Sequence, residues 1–342
     1  MPTRMTKGKY EAMQRLSNKQ GLIVATALDQ RGSLQKMLSE AMGSTATAQQ
    51  VEEFKELVTE ELTPYSTAIL LDPEYGWKPA KARDQHAGLL MAYEKTGYDA
   101  EIPGRLPDLL PEWSVQRYVE KGADAIKILM YYDPDDTAEI NDQKHAFVER
   151  VGAECVANDI PFFFEFVTYS DQIPDAKSAA FAAAKPDKVK KSMHEFTQDK
   201  YHIDVLKVEV PVNMTYVSGT EANRGHEAEA VYTREEALQH FTDTASIATV
   251  PFIYLSAGVS NADFIETMQL AGEAGTPFSG VLCGRATWKD GIEIYGKQGA
   301  EGLRAWLRAE GVHRMKHLAE VLNDAALPWW DIYGGKDNLE IV

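Results

Sequence analysis

Eight short apolar runs recur along the chain, at residues 22–28, 67–72, 87–93, 124–131, 161–168, 203–210, 251–257 and 279–284. Val, Ile, Leu and Phe dominate them, as in strands buried on both faces of a parallel sheet. Charged, helix-like segments fill the gaps: Ala48 to Leu62, Trp113 to Lys121, Glu139 to Asn158, Asp187 to Phe196, Thr233 to Ser246 and Asn261 to Glu273. Thr233-Arg234-Glu235-Glu236 fits a capping box, and Ser260 or Asn261 is placed to cap the segment that follows. Alternation of this kind implies parallel βαβ units, and eight strands imply a single-domain α/β fold, the (β/α)₈ TIM barrel. An open doubly wound sheet would show G-x-G-x-x-G after its first strand, and none follows here. Residues 72–86 are too short to hold a normal barrel helix. We place the barrel, with an N-terminal helical lead-in, in residues 1–327. Residues 328–342, with Trp329, Trp330 and Tyr333, read as a C-terminal extension that packs on the barrel or on a second subunit.

Several of these runs carry one ionisable residue where the pattern expects a hydrophobe. Lys207 lies within Ile203-Asp204-Val205-Leu206-Lys207-Val208-Glu209-Val210, and Lys127 within Ala125-Ile126-Lys127-Ile128-Leu129. Glu165 stands between Phe164 and Phe166, and Asp29 ends the first run. An ammonium in an apolar strand is costly unless paired, and desolvation favours its neutral, nucleophilic amine. Schiff-base chemistry needs such an amine. A structural ion pair, for example between Lys207 and Glu209 two residues along the same face, is the plainer alternative. Four strands that share the feature point to inward groups converging on one cavity, at the carboxyl ends of the strands where barrel active sites lie.

The last two runs end in sequences suited to phosphate. Leu255-Ser256-Ala257-Gly258-Val259-Ser260 offers small residues, hydroxyls, exposed amides and a following helix. Leu282-Cys283-Gly284-Arg285 offers a glycine for close approach and a guanidinium for bidentate contact. Loops after the seventh and eighth strands form the recurrent phosphate site of such barrels. A turn with a surface arginine would give the same local sequence.

Other chemistries find less support. The 342-residue chain has a formal net charge of −17, which disfavours nucleic acid or anionic membrane as partner. Cys155 and Cys283 are far apart and give no disulfide framework or zinc spacing. His313 and His317 share a helix face in a charged segment, which reads as a solvated surface rather than a metal site; no metal or other cofactor is expected. No Gly-x-Ser-x-Gly elbow is present. Met1 to Lys19 is polar, unlike a signal peptide or anchor, and no apolar run reaches transmembrane length, so a cytoplasmic location is expected.

Longer segments carry a resemblance. They are Ala27-Leu28-Asp29-Gln30-Arg31-Gly32, Glu60-Glu61-Leu62-Thr63-Pro64-Tyr65, Leu70-Leu71-Asp72-Pro73-Glu74-Tyr75-Gly76, Tyr93-Glu94-Lys95-Thr96-Gly97-Tyr98, Asp204-Val205-Leu206-Lys207-Val208-Glu209-Val210-Pro211, Tyr254-Leu255-Ser256-Ala257-Gly258-Val259 and Gly280-Val281-Leu282-Cys283-Gly284-Arg285. With them the chain resembles the class I tagatose 1,6-bisphosphate aldolases from about residue 10 to about residue 325. The resemblance implies a (β/α)₈ barrel and metal-independent aldol cleavage of tagatose 1,6-bisphosphate, with fructose 1,6-bisphosphate as a second substrate. It places Lys207 on the Schiff-base lysine, Glu165 on the acid/base glutamate, and Asp29 and Lys127 on supporting charged residues. Ser256, Gly258, Gly284 and Arg285 fall on phosphate-holding segments, with Gln30 and Arg31 assisting. It also implies a sugar-phosphate substrate, a homodimer, and a place in lactose or galactose catabolism. Two other readings stay open: an aldolase for a related ketose 1-phosphate such as a sulfonated sugar phosphate, and a non-catalytic sugar-phosphate sensor on the same scaffold.

Overall fold

The computed structural model describes residues 2–95 and 102–342; Thr96, Gly97 and Tyr98 of the segment quoted above lie outside the described residues. Ten strands are present among the described residues: β1 (Thr3–Met5), β2 (Ile23–Ala27), β3 (Ala68–Leu71), β4 (Gly88–Ala92), β5 (Ala125–Tyr132), β6 (Phe162–Thr168), β7 (Val205–Val208), β8 (Phe252–Leu255), β9 (Gly280–Cys283) and β10 (Leu339–Ile341). Strands β2 to β9 pair in parallel and in chain order, and β9 closes on β2. This is the (β/α)₈ barrel expected from the eight apolar runs. Gly280 marks the seam: a Cβ there would fall onto the Ile23 carbonyl, so only glycine permits the closure.

Why the strands read as continuous hydrophobic runs is visible in the packing. Ile23, Ala25, Ala68, Leu70, Leu90, Ala125, Phe163, Val205, Ile253 and Leu282 fill the barrel interior as one cluster. Their neighbours Val24, Ile69, Met91, Ile126, Phe164, Leu206 and Val281 pack outward in a second cluster that includes the helices. Side chains alternate across each strand, so both faces are buried and both must be apolar. The helices Ala48–Leu62 and Asn261–Glu273 have the bounds read from sequence. The Thr233 capping box is formed, and Ser260, not Asn261, caps its helix by accepting from the Asp263 amide at 3.1 Å. The 72–86 connection holds a six-residue helix, Trp77–Ala82.

The tail turns back beneath the barrel. Trp329 is fully buried in the interior cluster, its ring edge-on to Tyr10, and its amide donates to the Gly21 carbonyl at 3.0 Å. Parallel pairing of β10 with β1 then ties the two chain ends together. Residues 328–342 thus close the amino-terminal mouth of the barrel and leave the opposite mouth for chemistry. Trp329→Ala should cost about 3–5 kcal/mol of stability, the usual toll for emptying a buried aromatic site. Urea unfolding measures it; a loss below about 1 kcal/mol would show that the tail does not support the core.

Candidate active site

Alternation decides which groups enter the barrel. Ala125 and Phe163 are interior residues, so Lys127 and Glu165, two positions on, face inward as well; Val205 and Lys207 repeat the pattern on β7. Glu165 lies directly opposite Lys207 in the β6–β7 register. The Lys207 Nζ donates to Glu165 Oε2 at 2.9 Å. The plainer pairing of Lys207 with Glu209 does not occur. Glu209 lies just past the end of β7, accepts from the Thr168 amide at 2.7 Å and faces the Lys185 Nζ at 3.6 Å.

Lys127 organises the floor of the site. Its side chain has no exposed surface, and its Nζ lies 2.8 Å from Asp29 Oδ2, 2.9 Å from Glu165 Oε2 and 3.0 Å from Glu94 Oε1. An ammonium has three N–H donors, so each has a carboxylate to meet. Among the described residues no group of His, Cys, Asp or Glu is disposed to hold a metal ion. Burial alone would pull the Lys127 ammonium down, but the charges of Asp29, Glu165 and Glu94 outweigh it and hold it well above the usual lysine range. The reciprocal holds at Asp29: burial opposes ionisation, yet Lys127 and Lys207 keep its carboxyl well below the ordinary range. Asp29 itself sits two residues beyond the end of β2 rather than within the strand.

Above this floor opens a cavity of about 840 Å³, lined among others by Asp29, Gln30, Glu165, Lys207, Ser256, Gly258, Gly284 and Arg285. The phosphate-suited residues come together on one wall. The Gly284 amide donates to Ser256 Oγ at 3.3 Å, joining the loops after β8 and β9. Ala257 and Gly258 both have positive φ, and a Cβ on Gly258 would lie 2.7 Å from the centre of the Arg285 guanidinium. Glycine there lets the backbone lie against that cation. Gln30 is adjacent, with its Oε1 buried and without a hydrogen-bond partner.

Arg31 is a correction. It does not line the cavity; its side chain is 3% exposed, donates from Nη2 to the Glu94 carbonyl at 2.7 Å and lies 3.9 Å from Asp72. Its guanidinium is turned toward Glu94 and Asp72 instead of the cavity. His313 and His317 lie exposed on the helix Val312–Ala325, as the charged segment implied.

Glu94 and the Lys55–Asp72 pair were not read from the sequence. Glu94 follows the third apolar run just as Asp29 ends the first, so the same signal was present. Lys55 lies on the inner face of Ala48–Leu62, fully buried, and donates to Asp72 and to the Leu28 carbonyl. Three further lysines line the cavity, Lys177, Lys185 and Lys289, all outside strands.

Barrel, cavity and the lysine–carboxylate pair together define an aldolase-type (β/α)₈ enzyme. The family model of the DeoC/LacD family aldolases matches residues 23–290. A tagatose 1,6-diphosphate aldolase from Listeria monocytogenes serotype 4a (strain HCC23) is 53% identical over 99% of this chain and 98% of its own. Another, tagatose 1,6-diphosphate aldolase 2 from Enterococcus faecalis (strain ATCC 700802 / V583), is 54% identical over 95% of this chain and 96% of its own. The chain belongs to the DeoC/LacD family of aldolases. Its fold is also that of a solved Schiff-base-forming fructose-1,6-bisphosphate aldolase, with a TM-score of 0.55 at 14% identity over 91% of this chain and 98% of that one.

The charge balance at Lys127 is testable. Lys127→Met leaves three carboxyls facing one another and should cost about 3–5 kcal/mol near neutral pH. In the wild type, the depressed Asp29 value means its contribution is complete above the ordinary carboxylate range and is lost only as pH falls through that depressed value. In the variant the carboxyls lose their cation and favour protonation, so its deficit should shrink as pH falls from about 7 to about 5. Denaturant midpoints across that range measure it; a constant deficit contradicts the balance described.

Proposed function

We propose that this aldolase cleaves tagatose 1,6-bisphosphate to dihydroxyacetone phosphate and glyceraldehyde 3-phosphate through a Schiff base on Lys207, without a metal. One observation carries the reading: Glu165 Oε2 lies 2.9 Å from the Lys207 Nζ, in a cavity also lined by Ser256, Gly258, Gly284 and Arg285. The relatives' names supply the sugar. Fructose 1,6-bisphosphate serves as a second substrate in this reading.

Each step has a group in place. The neutral Lys207 amine attacks C2 of the open-chain ketose and gives a carbinolamine. Glu165 delivers a proton to the C2 hydroxyl, which leaves as water, and the iminium forms. Glu165, now a carboxylate, takes the proton of the C4 hydroxyl. The C3–C4 bond breaks, its electron pair passes into the iminium as an enamine, and C4 departs as the aldehyde of glyceraldehyde 3-phosphate. Protonation at C3 restores the iminium, and water releases dihydroxyacetone phosphate and the free amine. Asp29 orients substrate hydroxyls, while Lys127 holds Asp29 and Glu165 in place. Arg285, Gly284, Gly258 and Ser256, with Gln30, hold a phosphate through guanidinium, amides and hydroxyl.

The physiological setting in this reading is a cytoplasmic homodimer acting in lactose or galactose catabolism. Among the described residues no helix is long and apolar enough to cross a membrane. Lys207→Ala should lower turnover of tagatose 1,6-bisphosphate by about four orders of magnitude, as loss of a covalent nucleophile does. Arg285→Ala should instead raise KM about tenfold or more with a smaller effect on kcat. A coupled triose-phosphate assay separates the two. Substantial turnover by Lys207→Ala, beyond traces, would overturn the assignment of the nucleophile.

A further inference from the structure

Lys127 meets three carboxylates, but only two of them line the cavity. The third, Glu94, lies behind the floor with its side chain 5% exposed. Its Oε1 faces the Lys127 Nζ at 3.0 Å, whereas its Oε2 is buried and has no hydrogen-bond partner. A bare carboxylate oxygen in the interior is expensive, and protonation is the usual relief. The residue is nonetheless firmly held. Arg31 donates to its carbonyl at 2.7 Å, and the next amide, that of Lys95, donates to the Asp108 carbonyl at 2.8 Å.

We infer that Glu94 is a positioning residue of this site: acting through Lys127 and touching no substrate, it sets how tightly the Lys127–Asp29–Glu165–Lys207 cluster holds its proton. The inference rests on the aldolase reading above.

The charged and titratable groups facing Glu94 come from every element packed around it. Lys127 approaches from β5 and Glu165 from β6 through that lysine; Asp29 and Arg31 approach from the segment after β2. Asp72, paired with Lys55 of Ala48–Leu62, lies at the end of β3 beyond Arg31. The Tyr118 phenol comes from the helix Val115–Glu120 and is held up by burial and by the Glu94 charge. With Lys207 as a free amine, the carboxyls of Asp29, Glu94 and Glu165 share the Lys127 ammonium, and the Arg31 guanidinium beside Glu94 is the second cation. One proton shared within the set restores balance, and Glu165 needs that proton to expel the C2 hydroxyl as water. Burial pushes the Glu94 carboxyl up, with Lys127 opposing and Asp29 reinforcing, while Asp29 is held down. The carboxyls are therefore pushed apart, which is how neighbouring acids acquire different tasks. Their titration belongs to the cluster as a whole.

Glu94→Gln keeps an oxygen to accept from Lys127, removes the charge and puts an amide NH2 where the unpartnered Oε2 stood. Without that negative neighbour the cluster gives up its proton more readily, so the acid limb of its pH profile moves to lower pH. The experiment follows the borohydride-trapped imine formed on Lys207 from dihydroxyacetone phosphate, as a function of pH, in wild type and variant. Cleavage kinetics and melting temperature accompany it. The acid limb should move down by about one pH unit. Near neutral pH kcat should fall about tenfold while KM changes less than about threefold. Glu94→Ala, which also removes the contact to Lys127, should lose more. Superimposable pH profiles for wild type and Glu94→Gln would overturn the inference. So would a pH-independent loss that follows the melting temperature, the mark of packing alone. A wild type that cleaves the bisphosphate normally while the variant's profile stays put would defeat this inference only. A wild type that traps no imine would defeat the aldolase mechanism and this inference together.

Discussion

The buried Lys127 ammonium is the interaction on which the site depends. It has no exposed surface, and three carboxylates close on it, Glu165 from within β6 and Asp29 and Glu94 from just beyond β2 and β4. Removing the ammonium would leave three carboxyls facing one another in a region of low dielectric. That mutual dependence fixes Asp29 and Glu165 at the cavity floor. Glu165 is the link outward, because its Oε2 contacts both Lys127 and Lys207 at 2.9 Å. A carboxylate so placed can exchange a proton with the substrate while remaining anchored by the ammonium behind it.

Barrel geometry makes the arrangement possible. Parallel strands buried on both faces admit charge only where charges compensate one another, as they do among Lys127 of β5, Glu165 of β6 and Lys207 of β7. The amino-terminal half of the interior is apolar, and Trp329 seals it from below. Polar chemistry and structural core thus occupy opposite ends of one barrel. The phosphate wall stands apart, in loops after β8 and β9, where Gly258 lets the backbone lie on the Arg285 guanidinium.

Much of this was legible in the sequence, and the reason is periodicity. Seven of the eight apolar runs contain their strands and the run at 124–131 misses only Tyr132 of β5, because burial on both faces leaves no ambiguity of period. The charged residues inside those runs, Lys127, Glu165 and Lys207, were conspicuous for the same reason, and alternation put them on one face. What escaped lay where periodicity is silent. Glu94 stands one residue past an apolar run, as Asp29 does, but unlike Asp29 it turns behind the cavity floor, which nothing local in the sequence says. Lys55 sits in an amphipathic helix, and nothing local says that its ammonium turns inward to Asp72. Arg31 misled because its neighbours Asp29 and Gln30 do enter the cavity. The backbone turns at that point, and the guanidinium finds the Glu94 carbonyl and Asp72 instead. Lys207 and Glu209 share sequence parity, but β7 ends at Val208, so parity no longer fixes which way Glu209 points.

The central claim is that Lys207 forms an imine with its ketose substrate. The most direct measurement is incubation with dihydroxyacetone phosphate, reduction with borohydride, and mass-spectrometric mapping of the modified peptide. A stable adduct on Lys207, absent without borohydride, is the predicted result. Reduction that leaves Lys207 unmodified in folded protein shown to bind dihydroxyacetone phosphate would contradict it, and would make the Lys207–Glu165 contact a structural ion pair.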